Sequence, residues 1–195
     1  MAITQQQQGY RKIMHNQLES GPGYTLMELM VTIAIAGILV SAAIPSFTSI
    51  ISSNRLTTYA NDLVTALNFA RSEAIKRGVR ITLCKSTNGN SCTAGDDWSQ
   101  GWIIFTDQNN NATYDSATET LLRVQANSAN AITMVGNTNV ANYISYMATG
   151  QSKLIGGAFQ AGTIKICDNR TGNVGINLVI NSVARIATQS NIPCP

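Results

Sequence analysis

The chain has 195 residues, of which 44% are hydrophobic and 12% charged, about half the charged share of an ordinary soluble domain. That length allows one domain with a real core and little more. A formal charge of +3 without any run of Lys or Arg does not mark a nucleic-acid binder, and one histidine, His15, leaves almost no imidazole chemistry.

Residues 1–23 are polar and glutamine-rich, with Arg11 and Lys12 as cations and Glu19 as the one acid, and they end in the breaker Gly21-Pro22-Gly23. From Tyr24 the chain turns apolar as far as Pro45, interrupted by Glu28 and a few hydroxyls, and no Asp, Glu, Lys or Arg occurs between Glu28 and Arg55. A run of that length can cross a bilayer as a helix. Arg11 and Lys12 precede it and the far side has no cation before Arg55, so the positive-inside rule predicts a cytoplasmic N-terminus and an exported remainder. The run can be read as a plain anchor or as a secretory signal with Ser41-Ala42-Ala43 as a small-residue cleavage site. A third reading is a leader cut between Gly23 and Tyr24, on the cytoplasmic side of the helix. Gly37 and Ser41, four apart, offer a small-residue face for helix packing.

Beyond Pro45 the pattern becomes amphipathic. Leu56, Tyr59, Ala60, Leu63, Leu67, Ala70 and Ala74 recur at three- and four-residue spacings, which predicts a helix with one buried face. Lys76 and Arg77 before Gly78 predict its C-terminal stop. A helix from Tyr24 to Arg77 would measure roughly 80 Å at 1.5 Å per residue.

After Gly78 short β-rich runs alternate with Asn/Gly/Ser/Thr-rich turns. Strands are predicted at 79–85, 102–107, 120–125, 131–135, 143–147, 163–167, 176–181 and 185–188, with no second helix. The expected fold is α+β: a long helix whose second half packs on an antiparallel sheet. Cys84, Cys92, Cys167 and Cys194 all fall on the exported side, where disulfides persist, and four cysteines allow three pairings. Cys84–Cys92 closes a short loop, and Cys167–Cys194 would pin the C-terminal tail to a strand. No C-x-x-C pair or second histidine supports a zinc site. The oxygens of Asp107, Asn109, Asn111 and Asp115 alternate as in a calcium loop. Ala112 stands where such a loop needs Gly, however, and Thr118 where it needs Glu, so a solvated Asx turn is expected.

Two stretches carry a family resemblance. Gly23-Tyr24-Thr25-Leu26-Met27-Glu28-Leu29, followed by the apolar helix, resembles the class III signal of type IV prepilins. The stretches RLTTYANDLVTALNFARSEAIKRG, VRITLCKS and DDWSQGWIIFTDQN resemble the GspH/FimT family of minor pilins and pseudopilins, with Arg71-Ser72-Glu73-Ala74 and Gly101-Trp102 as signature positions, most similar to its FimU/FimT minor pilins. The resemblance covers Tyr24 to about Val124. It implies three parts: a leader at 1–23, a hydrophobic transmembrane or filament-core helix at 24–53, and a globular head at 54–195 (helix 54–77, β-rich 78–195). It also implies cleavage at Gly23/Tyr24 by a prepilin peptidase, N-methylation of Tyr24, a kink at Pro45, and Glu28 as the assembly carboxylate that meets a neighbour's new amine.

The implied protein is no enzyme and needs no cofactor or metal. It is a minor pilin that sits in the inner membrane, head periplasmic, until an inner-membrane assembly platform builds it with major and minor pilins into a pilus, where it initiates or caps assembly. Alternatives are a pseudopilus subunit of a type II secretion system and a DNA-uptake pilin. The DNA-binding members carry Gly-Arg-x-Arg on a C-terminal hairpin. The aligned Ala184-Arg185-Ile186-Ala187 keeps one arginine, so DNA contact through Arg185, with Lys165 and Arg170 nearby, is disfavoured.

Overall fold

The computed structural model describes residues 23–95, 97–126 and 132–195, with the side chains of Pro45 and Ser46 set aside. The chain divides into two compact units, Met1–Thr48 and Ser49–Pro195. One helix, α1 (Leu26–Arg77), contributes to both. It stops where Gly78 turns to φ 69°, and the Gly78 N–H reaches back to the Ala74 carbonyl at 3.0 Å. Lys76 and Arg77 sit in its negative last turn, and Arg77 hydrogen-bonds Glu73, holding that carboxylate below its usual range.

The second unit carries eight strands: β1 (Ile81–Lys85), β2 (Trp102–Thr106), β3 (Leu121–Gln125), β4 (Ile132–Gly136), β5 (Tyr143–Tyr146), β6 (Gly162–Asp168), β7 (Gly172–Ile180) and β8 (Ile186–Cys194). They form two antiparallel four-stranded sheets, ordered β3-β2-β1-β5 and β4-β6-β7-β8, and not the one sheet expected. The reason lies in the helix. Leu56, Ala60, Leu63, Ala66, Leu67, Ala70 and Ala74 bury a stripe that serves both inner faces: Ile81, Leu83, Ile104 and Ile144 from the first sheet, and Met134, Ile164, Ile166 and Leu178 from the second. Trp98 lies in the same core, and its indole N–H donates to the Val140 carbonyl at 3.0 Å.

The two central strands of the first sheet, β1 and β2, are buried on both faces and show no alternation of burial. Its outer side holds Cys84, Ile103 and Phe105, covered by Cys92 and Tyr114 from loops and by Leu121 of β3 and Tyr143 of β5. Most strand ends fall within two residues of expectation. The C-terminal hairpin is longer: β7 starts at Gly172 and β8 runs to Cys194 instead of ending at Thr188. Backbone pairing Gly172↔Cys194 and Asn173↔Pro193 holds residues whose side chains give no strand pattern. Position 131, expected to open β4, lies outside the described residues.

Candidate assembly interface

Thr25 opens the helix. Its side-chain oxygen accepts from the Glu28 N–H at 3.2 Å, and its carbonyl accepts from the Leu29 N–H at 3.1 Å. Thr25 is therefore the N-cap, and Glu28 stands at the third helical position, the Thr-x-x-Glu spacing of a capping box. That spacing is readable in the sequence. It places the one carboxylate of the segment at the positive end of the helix, with no other charged side chain before Arg55.

Among the described residues of the first unit every large apolar side chain is exposed, from Tyr24 at 85% to Val31 at 48%. None of its most apolar stretch is buried, and α1 is long and apolar enough to cross a membrane. The hydroxyls do not oppose this. Thr32 Oγ1 donates to the Leu29 carbonyl at 2.9 Å and Ser41 Oγ to the Ile38 carbonyl at 2.7 Å, satisfying both inside the helix. A side chain at Gly37 would meet nothing within 4 Å, so that position is open for a neighbouring helix.

In the second unit Cys84 is bonded to Cys92 and Cys167 to Cys194, with Cα separations of 5.6 and 5.8 Å. The second link lies over Gly175, where an added Cβ would come within 2.6 Å of Cys194 Sγ. Around position 107, Asp107 Oδ2 accepts from Thr82 Oγ1 at 2.7 Å and from the Ala112 N–H at 3.1 Å, while Oδ1 accepts from the Asn111 N–H at 3.0 Å. These oxygens are spent on the fold, and among the described residues no group of three or more His, Cys, Asp or Glu could hold a metal ion. Glu119 is buried there too, and burial pushes its carboxyl above the usual range, helped by the nearby charges of Asp107 and Asp115.

The three cations considered for DNA are not brought together. Arg170, before β7, forms an ion pair with Asp168 (2.8 Å) and donates to the Ser49 carbonyl (3.2 Å) and Ser53 Oγ (3.2 Å). Arg185 is exposed beyond the other end of β7, a strand of nine residues that spans about 27 Å. Lys165 pairs with Asn177 midway, on the face opposite the buried Ile164 and Ile166. Sequence reasoning missed Arg71 as a tie: from α1 its Nη1 donates at 3.2 Å to the Ala184 carbonyl in the β7–β8 turn.

Known proteins agree with this architecture. A model of the family described as "Type II transport protein GspH" matches residues 59–184, well past Val124. The chain belongs to the GspH family. A model of the prokaryotic N-terminal methylation motif matches residues 22–44, the apolar start of α1. The "Pilin-like protein PilA1" of Thermus thermophilus is 37% identical over 99 residues, spanning 50% of this chain and 55% of that protein. The chain thus matches only about half the length of this relative.

Among solved structures, the type IV minor pilin FimU of Pseudomonas aeruginosa is similar in two crystal forms. In one the TM-score is 0.54 at 23% identity, over 71% of this chain and 90% of that one. In the other it is 0.52 at 22% identity, over 70% and 94%. At that identity the likeness is one of fold: a long N-terminal helix followed by antiparallel sheets. With the family and the methylation motif, it makes the chain a pilin-like member of the GspH family with the fold of that minor pilin.

Proposed function

We propose that the chain is a minor pilin of a type IV pilus. It enters the inner membrane with its N-terminus cytoplasmic and its head periplasmic. A prepilin peptidase cuts between Gly23 and Tyr24, and the new Tyr24 amine is methylated. The assembly platform then moves the subunit into the filament, where it starts or caps assembly among major and minor pilins. The observation that carries this reading is an apolar helix half with no cover of its own and a single carboxylate, Glu28, four residues from the expected new N-terminus. An ionised carboxylate in an apolar filament core is costly unless a cation meets it. The amine of a neighbouring subunit, freed by cleavage, has that charge.

The test is Glu28→Ala. Membrane insertion and cleavage should persist, while recovery of the subunit in sheared filaments should fall to background. Normal recovery would sink the assembly role. In parallel, replacing Gly23 by a bulky residue should leave the leader attached, as mass spectrometry of the intact chain would show. Whether sheared pili or a secretion pseudopilus contain the wild-type chain separates the type IV reading from the type II one.

A further inference from the structure

Between β5 and β6 the chain makes a small hairpin whose two arms pair Lys153 with Phe159, while Ser152 bridges back to Tyr146. Its base is bolted down. Ser152 and Gln160 are fully buried, and the Ser152 hydroxyl donates to the Gln160 carbonyl. Gln160 uses its whole side-chain amide: Oε1 accepts from the Ser145 N–H at 2.9 Å, and Nε2 donates to the Asn139 and Tyr143 carbonyls, both at 2.8 Å. The buried Arg80 adds a bond to the Lys153 carbonyl at 3.2 Å. The tip is ordered as well: the Gly157 N–H donates to the Leu154 carbonyl and the Leu154 N–H to the Ala158 carbonyl, both at 2.9 Å, with Gly157 at φ 86°. The Ile155 N–H reaches the Tyr143 hydroxyl at 3.1 Å.

What this rigid scaffold presents is apolar. The tip reads Leu154-Ile155-Gly156-Gly157-Ala158-Phe159, with Phe159 53% exposed and Ile155 36%. The other exposed large apolar side chains beyond β1, Val124, Val135 and Val183, stand singly on separate elements. A satisfied polar network holding exposed apolar side chains in one geometry reduces the ordering cost of docking, and buried aromatics are frequent anchors of such contacts. Lys153, whose ammonium lies 5.3 Å from the Phe159 ring centre, gives the tip its charge.

We propose that this hairpin tip is a head-to-head docking knob, and that its occupant is another pilin-type subunit offering an apolar hollow with an acidic rim. The inference rests on the filament reading: a helix half that needs lateral neighbours brings their heads alongside this one. Lys153 favours an acidic rim by charge complementarity.

The experiment places a photo-reactive phenylalanine analogue in the full-length chain in piliated cells, at Ile155 or Phe159, at Val183 as a head control, and at Leu39 in the apolar helix. The expected result is an adduct from positions 155 and 159 to a subunit that mass spectrometry identifies as a pilin, in clear excess over position 183. Lys153→Glu should lower its yield. Ile155→Ser combined with Phe159→Ser should keep both disulfides and reduce the subunit's recovery in filaments about tenfold, the scale of losing one aromatic anchor. Adducts at 39 without any at 155 or 159 above the control would overturn the knob and leave the filament reading standing. Adducts to lipid from the tip would also overturn it. Absence of pilin adducts at position 39 as well would overturn both.

Discussion

The two halves of α1 belong to one continuous helix and behave as opposites. Up to Thr48 the side chains are apolar on all sides and none of the large ones is covered, whereas from Leu56 to Ala74 only one stripe is apolar and it is almost wholly buried. The difference lies in where the partner comes from. For the second half the same chain supplies eight strands. For the first half nothing in the described chain does, and a surface of that size is stable only in lipid or against like helices. Two carboxylates repeat the contrast. Glu119 lies buried among groups of its own fold, while Glu28 stands exposed in the first turn of the helix.

The sharpest test of this contrast is a matched pair, Leu67→Ala and Leu39→Ala, in the full-length chain in detergent. Leu67 is fully buried and Leu39 is 65% exposed. Trp98 and Trp102, the chain's two tryptophans, are both buried in the head, so their fluorescence reports its unfolding alone. Leu67→Ala should destabilise the head by about 4 kcal/mol in a denaturant titration, through lost burial plus the cavity left behind. Leu39→Ala should leave that midpoint unchanged. A shift with Leu39→Ala would mean that the first half leans on the head after all.

Next in size is the link that closes the head's C-terminal end. Replacing both Cys167 and Cys194 with Ser frees a loop with a sequence separation of 27. It should cost about 3 kcal/mol in the same titration, the scale the chain-entropy account gives for a loop of that length. Smaller still is Arg71→Met, which removes the bond from α1 to the Ala184 carbonyl and leaves that buried acceptor unmet, for about 2 kcal/mol.

How far the sequence carries is visible in the same elements. The helix stop at Gly78, the buried stripe from Leu56 to Ala74 and the strand cores of β1 and β2 all follow from local rules: a positive-φ position, a 3.6-residue period and runs of β-branched and aromatic residues. The family was legible in Gly23–Leu29 and Arg71–Gly78. The split into two sheets was not, because strand partners are chosen by contacts far apart in the chain, as when β4 passes its neighbours in sequence to pair with β6. The end of β8 was hidden because Asn191 and Pro193 have poor strand propensity and are held by backbone pairing and a disulfide. Nor could spacing show that β7 keeps Arg170 and Arg185 at opposite ends, or that Gln160 would be a buried bolt.

The smallest expected effect concerns Glu119 and asks whether a head acid is fully provided for. Its Oε2 accepts from the Asp115 N–H at 3.0 Å and the Gln108 backbone N–H also favours the charged form, while Oε1 is buried without a well-formed hydrogen bond. Burial raises its pKa in the folded state above the ordinary 4.5, with Asp107 and Asp115 adding repulsion. The fold therefore binds that proton more tightly than the unfolded chain does. This contribution to stability is fully present below about pH 4.5 and is lost as pH rises through the folded-state value. Asp115, held below its usual range by the Ala117 N–H and the Thr118 hydroxyl, works in the opposite direction at lower pH. Glu119→Gln keeps the acceptor for Asp115 and replaces the orphaned oxygen with a donor facing acids. At pH 7 it should stabilise the head by up to about 1 kcal/mol, and the gain should vanish near pH 4. Denaturant midpoints of the two proteins across that range check it. A Gln variant that is less stable at pH 7 would show that the ionised carboxylate has a partner in the folded chain.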